Sequence, residues 1–174
     1  MGKLCRPIHD DGPVNNGEKR LQNYLVNNLP DDYYVVPNLN LAVSSRHITK
    51  IWEYDVIVVA PHAVFHIENK DWGGHLEGDD YAWFRSGQEV ANPHKTANLK
   101  SKILATKIRD AHPDWKFGQV ITLVTLSNPM QSMFGLDPTC ETYKQTFLVN
   151  EKLINLISAT LLSSHDTTVF LRFS

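Results

Sequence analysis

The chain reads as an α/β domain in which helices pack on a mixed β-sheet, and three observations predict this. Two adjacent apolar runs, Tyr54–Ala60 and Ala63–Lys70, have strand character and flank a two-residue Pro61-His62 break. A third run, Val120–Leu126, is rich in β-branched residues and reads as a buried strand. Two longer stretches, 16–28 and 93–111, carry apolar side chains at helical spacing.

Taken in order, residues 1–16 read as loop, with Pro7, Gly12, Pro13, Asn15 and Asn16. A helix is predicted from Asn16 or Gly17 to about Asn28, with Leu21, Tyr24, Leu25 and Leu29 as its apolar stripe, and Pro30-Asp31-Asp32 ends it. Tyr33 to Val43 alternates as a strand, broken or bulged around Pro37-Asn38. Ser44 to Lys50 is polar and reads as loop. Residues 53–60 and 63–70 then pair as a hairpin. Gly73-Gly74 breaks the chain before a shorter hairpin, His75–Glu77 with Tyr81–Phe84, turning at Gly78-Asp79-Asp80. Asn92-Pro93 opens a helix from about Pro93 to Ala111, the proline sitting where its missing N–H does no harm. Val120–Leu126 follows as a strand, and 128–140 as a loop. A last helix runs from about Glu151 to Leu162, with Leu153, Ile157 and Leu161 on one face, and Thr168–Phe173 reads as a strand. That β-prone run reaches the end of the sequence without a polar tail, so we expect the domain, residues 1–174, to be the N-terminal part of a larger protein.

The 174 residues suffice for one domain with its own core. At 42% hydrophobic and 21% charged the composition is that of a soluble globular protein. A net charge of −2 selects no partner, so a nucleic-acid binder of this composition needs its positive charge gathered locally. Cys5 and Cys140 are the only cysteines and form no CxxC, which argues against a disulfide framework or zinc site and suits a reducing cytoplasm. No apolar stretch approaches the ~20 residues needed to span a bilayer. The N-terminal residues lack the apolar core of a signal peptide, so a cytoplasmic location is expected. Neither a nucleophile–base pair nor a phosphate-binding glycine loop is present, and Gly73-Gly74 is a turn rather than a P-loop.

Within the first hairpin, three charges interrupt segments that otherwise read as core: Asp55, Glu68 and Lys70. Buried charges need partners or a bound cation. Side chains alternate along a strand, so Glu68 and Lys70 project to one side, and antiparallel pairing puts Asp55 opposite them. Two carboxylates offer hard oxygen ligands to Mg2+, which lowers the pKa of a bound water and offsets charge on a phosphodiester. A nearby lysine orients that water or stabilises the transition state. Glu18 lies three and seven residues before Leu21 and Leu25, on the inward side of its helix, placed to ligate the ion or a water on it. His66 shares the Glu68 face. The competing reading is plain: Glu-x-Lys is a common tripeptide, charges at a strand end often just reach solvent, and a first-turn glutamate complements the helix dipole.

These residues also form an ordered series: Gly17-Glu18, Asn38–Leu41, Glu53–Val59, Phe65–Gly74 and Asn92-Pro93. The series resembles the nuclease-related domain (NERD) of the PD-(D/E)xK nuclease superfamily, over roughly residues 14–125. The resemblance implies a restriction-endonuclease-like core, a mixed central β-sheet flanked by α-helices, and Mg2+-dependent cleavage of DNA (or RNA), with Mn2+ able to substitute. It implies that Asp55 and Glu68 are metal ligands, that the Asn69 carbonyl also faces the metal, that Lys70 is the catalytic lysine and that Glu18 is the helix-borne acid. It further implies attachment to kinase, helicase or other DNA-processing domains, or a place in a defence protein. Two departures stand out. Tyr54 replaces the proline that often precedes the first acid, and Thr96 stands where family members often carry a glutamine. The second favours an alternative reading: a catalytically weak or inactive module that binds nucleic acid or a protein.

On the 93–111 helix, Lys95, Lys102 and Arg109 recur every seven residues, as do Lys100 and Lys107, so each set lines one stripe. Beside a metal site, such a basic helix holds phosphates without regard to sequence. The alternative is an ordinary solvated lysine face. Trp72, Trp83 and Phe84 either stack on bases or, more commonly for such aromatics, close a core.

Overall fold

The computed structural model describes residues 1–6, 15–45, 48–115 and 120–159. Strand β1 (Lys3–Leu4) is followed by helix α1 (Asn16–Asn28), then by β2 (Tyr34–Ser45), β3 (Ile48–Val59) and β4 (Val64–Lys70). Three short strands, β5 (Leu76–Gly78), β6 (Trp83–Arg85) and β7 (Gln88–Val90), lead into α2 (Pro93–Ala111) and β8 (Val120–Leu126). The described part closes with α3 (Glu141–Lys144), β9 (Thr146–Leu148) and α4 (Glu151–Ser158).

The central sheet runs β1-β2-β3-β4-β8-β9. Its β2-β3-β4 portion is an antiparallel meander, while β1, β8 and β9 lie parallel to their neighbours. Parallel pairing of β4 with β8 demands a crossover, and α2 supplies it. The mixed sheet with helices on both faces is compatible with a restriction-endonuclease-like core.

Each long helix starts where an asparagine accepts a backbone N–H. Asn15 takes that of Glu18, Asn92 that of His94 and Asn150 that of Lys152. On one face of the sheet, Leu21 and Leu25 of α1, Leu29 at its C-terminal cap, and Leu153 and Ile157 of α4 cover Val35, Val56, Val58, Phe65, Ile67 and Leu123. Full burial of each such leucine is worth about 1.5–3 kcal/mol. On the other face, Leu104 and Ala105 of α2 cover Tyr54, Ile57, Val64 and Val120. A satellite core of Leu76, Trp83, Leu126 and Leu136 seats the three-stranded sheet against the end of β8.

Several expectations need correction. The polar stretch 44–50 is not all loop: Ser44 pairs with Thr49 and Val43 with Lys50 in a long two-stranded arm. Its backbone is satisfied by ladder bonds, so polar side chains do not prevent strand formation there. The pair β1, too short to show periodicity, sits in what reads as loop and borrows its order from β2. The second hairpin continues into a third strand, β7, through Ser86 and Gly87, both at positive φ. α3 and β9 also escape the sequence reading. The end of the last predicted helix and the Thr168–Phe173 strand lie outside the described residues. Among the described residues, no helix is long and apolar enough to cross a membrane.

Candidate active site

The site begins with an interruption in the sheet. The β2–β3 ladder steps from Pro37–Val56 to Leu39–Tyr54, passing over Asn38 and Asp55 without inserting a residue. Asn38 adopts φ +49°, a left-handed conformation that asparagine tolerates. Side-chain alternation slips at the same step: Tyr54 and Ile57, three apart, both face α2, while Val56 and Val58 face α1. The sequence-predicted break at Pro37-Asn38 is therefore real, but it is a local twist shared by both strands rather than a bulge.

On the other side of β3, the ladder with β4 ends at Val56–Ile67. One further step in that register sets Asp55 across from Glu68. There the Asp55 side chain takes the place of a backbone acceptor, and its Oδ2 accepts the Asn69 N–H at 2.7 Å. Asn69 in turn accepts the Thr125 hydroxyl through its own side chain, at 3.0 Å, which ties the strand end to β8.

Glu68 is buried, and each of its carboxylate oxygens carries an ammonium. Lys70 Nζ lies 2.8 Å from Oε1, and Lys100 Nζ lies 2.7 Å from Oε2. Burial works to raise the Glu68 pKa, but the charges and hydrogen bonds of Lys70 and Lys100 together outweigh it and leave it lowered. Asp55 behaves oppositely. Burial first, and then the Glu68 charge, push its pKa up to about 6, against the Asn69 N–H and the two lysines. The Glu68 charge thus reaches the Asp55 carboxyl.

His66 lies behind Glu68, with Nε2 3.7 Å from Oε2. Its Nδ1 pairs with Ser101 Oγ at 2.9 Å, and the Thr122 hydroxyl donates to that same oxygen at 2.8 Å. Burial drives its pKa down to about 4, so the ring is neutral near pH 7. It is a core histidine joining β4, α2 and β8, held through Nδ1, while its buried Nε2 has no hydrogen-bond partner among the described residues and faces Glu68. The Tyr54 hydroxyl donates to the Lys100 carbonyl at 2.9 Å and pins α2 over the site.

Of the residues singled out by sequence, Asp55, Glu68, Asn69 and Lys70 meet at one end of the β3–β4 hairpin. Glu18 stands at the N-terminus of α1, where its carboxylate accepts the Asn15 side-chain amide at 2.7 Å. Its neighbour Gly17 packs so tightly on Asp71 and Ser127 that a Cβ there would lie 2.5 Å from Asp71 Cβ. Among the described residues, no group of three or more His, Cys, Asp and Glu side chains is gathered closely enough to hold a metal ion, so the acids in hand at the hairpin are two. A cavity of about 570 Å3 opens beside α1, lined by Arg20, Tyr24, Ser127 and Asn150 among others, and none of these predicted site residues lines it.

The basic helix divides. Lys102 and Arg109 are exposed, Lys107 is half-buried, and exposed Lys95 donates to the Tyr81 carbonyl at 3.1 Å. Lys100 departs from the expected solvent stripe: its side chain is only 12% exposed and turns inward to Glu68. A buried carboxylate with one partner would be costly, and the long lysine stem reaches it. The signal was available in the sequence. Lys100 lies one helical turn before Leu104 and beside Ser101, on the same inward face as Ala97. Trp83 is fully buried and closes the satellite core with Trp72, while Phe84 is exposed.

The stretch that holds Glu18, the charged groups at the hairpin end and Lys100 is also the stretch that a known family describes. The family model for the nuclease-related domain, NERD, matches residues 13–127. No curated protein and no solved structure matches the chain.

Proposed function

The chain belongs to the nuclease-related domain family, and on that premise we propose that it is a Mg2+-dependent DNA endonuclease domain. The observation that carries this reading is the meeting of Asp55 and Glu68 at one strand end with Lys70 2.8 Å from the Glu68 carboxylate. The donor set fits a hard divalent cation. It consists of carboxylate oxygens close enough for one charge to raise the other's pKa, with no thiolate, and with His66 engaged by Ser101 through Nδ1 only. When bound there, Mg2+ would supply a water of lowered pKa and offset charge on the phosphodiester.

The remaining roles belong to the chain itself. Asp55 and Glu68 hold the cation, and the Asn69 N–H fixes the Asp55 carboxylate so that one of its oxygens is oriented in advance. The Asn69 carbonyl is a further oxygen donor to the same ion. Lys70 holds the attacking water or stabilises charge on the phosphate. Glu18 assists from the α1 N-terminus through water. Lys95, Lys102, Lys107 and Arg109 bind backbone phosphates along α2.

Incision of plasmid and linear DNA with Mg2+ or Mn2+ tests the reading. Asp55→Ala and Lys70→Ala should each abolish cleavage, and cleavage that survives either change rules this site out as its source. The second reading, a non-catalytic nucleic-acid-binding module, draws on Thr96, an exposed residue that stands where family members often carry a glutamine. DNA binding that needs no divalent ion, with no cleavage under any of them, would favour it.

A further inference from the structure

Glu68 has a cation on each oxygen before any metal arrives. Lys70 reaches it from two residues along the same strand, and Lys100 reaches it from α2, thirty-two residues further on. The Glu68 and Lys100 side chains are 8% and 12% exposed, so this is an interior pair and not a solvated contact. The four charged groups Asp55, Glu68, Lys70 and Lys100 sum to zero. A divalent cation entering among them would leave an excess of two positive charges, in a place where water screens poorly, unless an ammonium withdrew.

We propose that Lys100 is the resident counter-ion of Glu68, which a divalent cation must displace, and that the released ammonium then binds the substrate's phosphate. This rests on the nuclease reading above and adds to it a built-in exchange of cations. The geometry suits Lys100 to the part. Its backbone is held by the Tyr54 hydroxyl on its carbonyl, so α2 stays in place while the four-carbon stem rotates. Withdrawn from Glu68, the ammonium remains on the helix that carries Lys95, Lys102, Lys107 and Arg109. One group thereby keeps the two acids together without the metal and contributes to phosphate binding with it. Lys70 stays beside Glu68 throughout.

The test is calorimetric titration of Mn2+ alone into the full chain, comparing wild type with Lys100→Gln, Lys100→Met and Lys100→Arg. Either neutral variant should bind Mn2+ at least about tenfold tighter, because the competing charge is gone, while Lys100→Arg should bind no tighter than wild type. At saturating Mn2+, the neutral variants should bind a phosphorothioate DNA duplex more weakly than wild type. Circular dichroism identifies folded variants, and the two neutral replacements differ enough in polarity that one reports if the other does not fold. Unchanged or weaker Mn2+ affinity in a folded neutral variant overturns the counter-ion role, and unchanged duplex affinity overturns the phosphate role. Tighter Mn2+ binding in a chain whose wild type cuts no DNA would keep the counter-ion role and sink the nuclease reading. Cleavage by wild type with Mn2+ affinity indifferent to Lys100 would do the reverse.

Discussion

The Asn69 N–H donates to Asp55 Oδ2 at 2.7 Å, at the step where the β3–β4 ladder stops. A side chain has taken over the job of a backbone carbonyl, and in doing so it is aimed along the strand end toward Glu68. This replaces a ladder bond with a charge-assisted one and turns the frayed end of a hairpin into a fixed pair of acids.

Replacing Asp55 by Asn keeps the acceptor for Asn69 and removes the charge. The wild-type carboxyl has its pKa raised from 3.8 to about 6 by burial and by Glu68. A raised folded pKa means the folded state holds the proton more tightly, so this group's contribution is full below about pH 4 and is lost as pH rises through 6. Without divalent ions, Asp55→Asn should therefore match wild type near pH 4 and melt higher at pH 8, by on the order of 1–3 kcal/mol. Thermal denaturation across that range checks it, and a wild type more stable than the variant at pH 8 would refute the assignment.

Glu68→Gln should behave differently. It leaves two ammonium groups, one of them nearly buried, with only a neutral acceptor. Removing one member of a buried ion pair is costly, and partial exposure of Lys70 reduces the effect to roughly 1–3 kcal/mol. Urea unfolding at neutral pH measures it, and cleavage should be lost in the same variant.

His94 gives an acid-side prediction away from the site. It is buried against the Thr146 hydroxyl, 2.9 Å from Nε2, and burial lowers its pKa from 6.5 to about 4. The unfolded chain then takes up a proton that the folded one refuses, so stability falls as pH drops from 6.5 toward 4. His94→Gln should flatten that part of the profile of melting temperature against pH, and an unaltered slope would mean that the ring is protonated in the fold.

Gly17→Ala tests the seat of α1. The added Cβ would lie 2.5 Å from Asp71 Cβ and 2.6 Å from Ser127 Oγ, so the helix must shift away from the end of β4. A loss of about 1–3 kcal/mol is expected. Chemical denaturation gives the value, and a neutral outcome would show that the first turn of α1 yields freely.

Lys102 reports on the nucleic-acid surface. It is exposed on α2 and pairs with no acid among the described residues. If it contacts one phosphate of duplex DNA, Lys102→Ala should lower the slope of log affinity against log salt by about 0.9. Fluorescence anisotropy over a salt series reads the slope, and an unchanged slope removes Lys102 from the interface.

Much of this was legible along the chain. The β3–β4 hairpin, α1, α2 and β8 announce themselves because each buries a face and so carries a periodic apolar pattern: Leu21 and Leu25 on α1 with Leu29 at its cap, and the Val120–Leu126 run on β8. The same periodicity set Glu68 and Lys70 on one side and Asp55 across from them. β1, α3, β9 and β7 were not legible, since two to four residues show no period and their order comes from a partner strand or a cap; β5 and β6 are as short, and it is the Gly78-Asp79-Asp80 turn between them that marked them.

What the sequence determined by itself is the family, the hairpin and the identity of the charged groups at its end, because side-chain alternation and register follow from the local chain. What only the tertiary structure decided is which cations those groups meet. The packing of α2 across β4, held by Tyr54 on the Lys100 carbonyl and by Ser101 between His66 and Thr122, carries a lysine from another element onto Glu68. Helical spacing sets Lys100 on the inward face of α2 with Ala97 and Leu104, but not what it meets there. That partner is Glu68, a buried carboxylate that must be compensated.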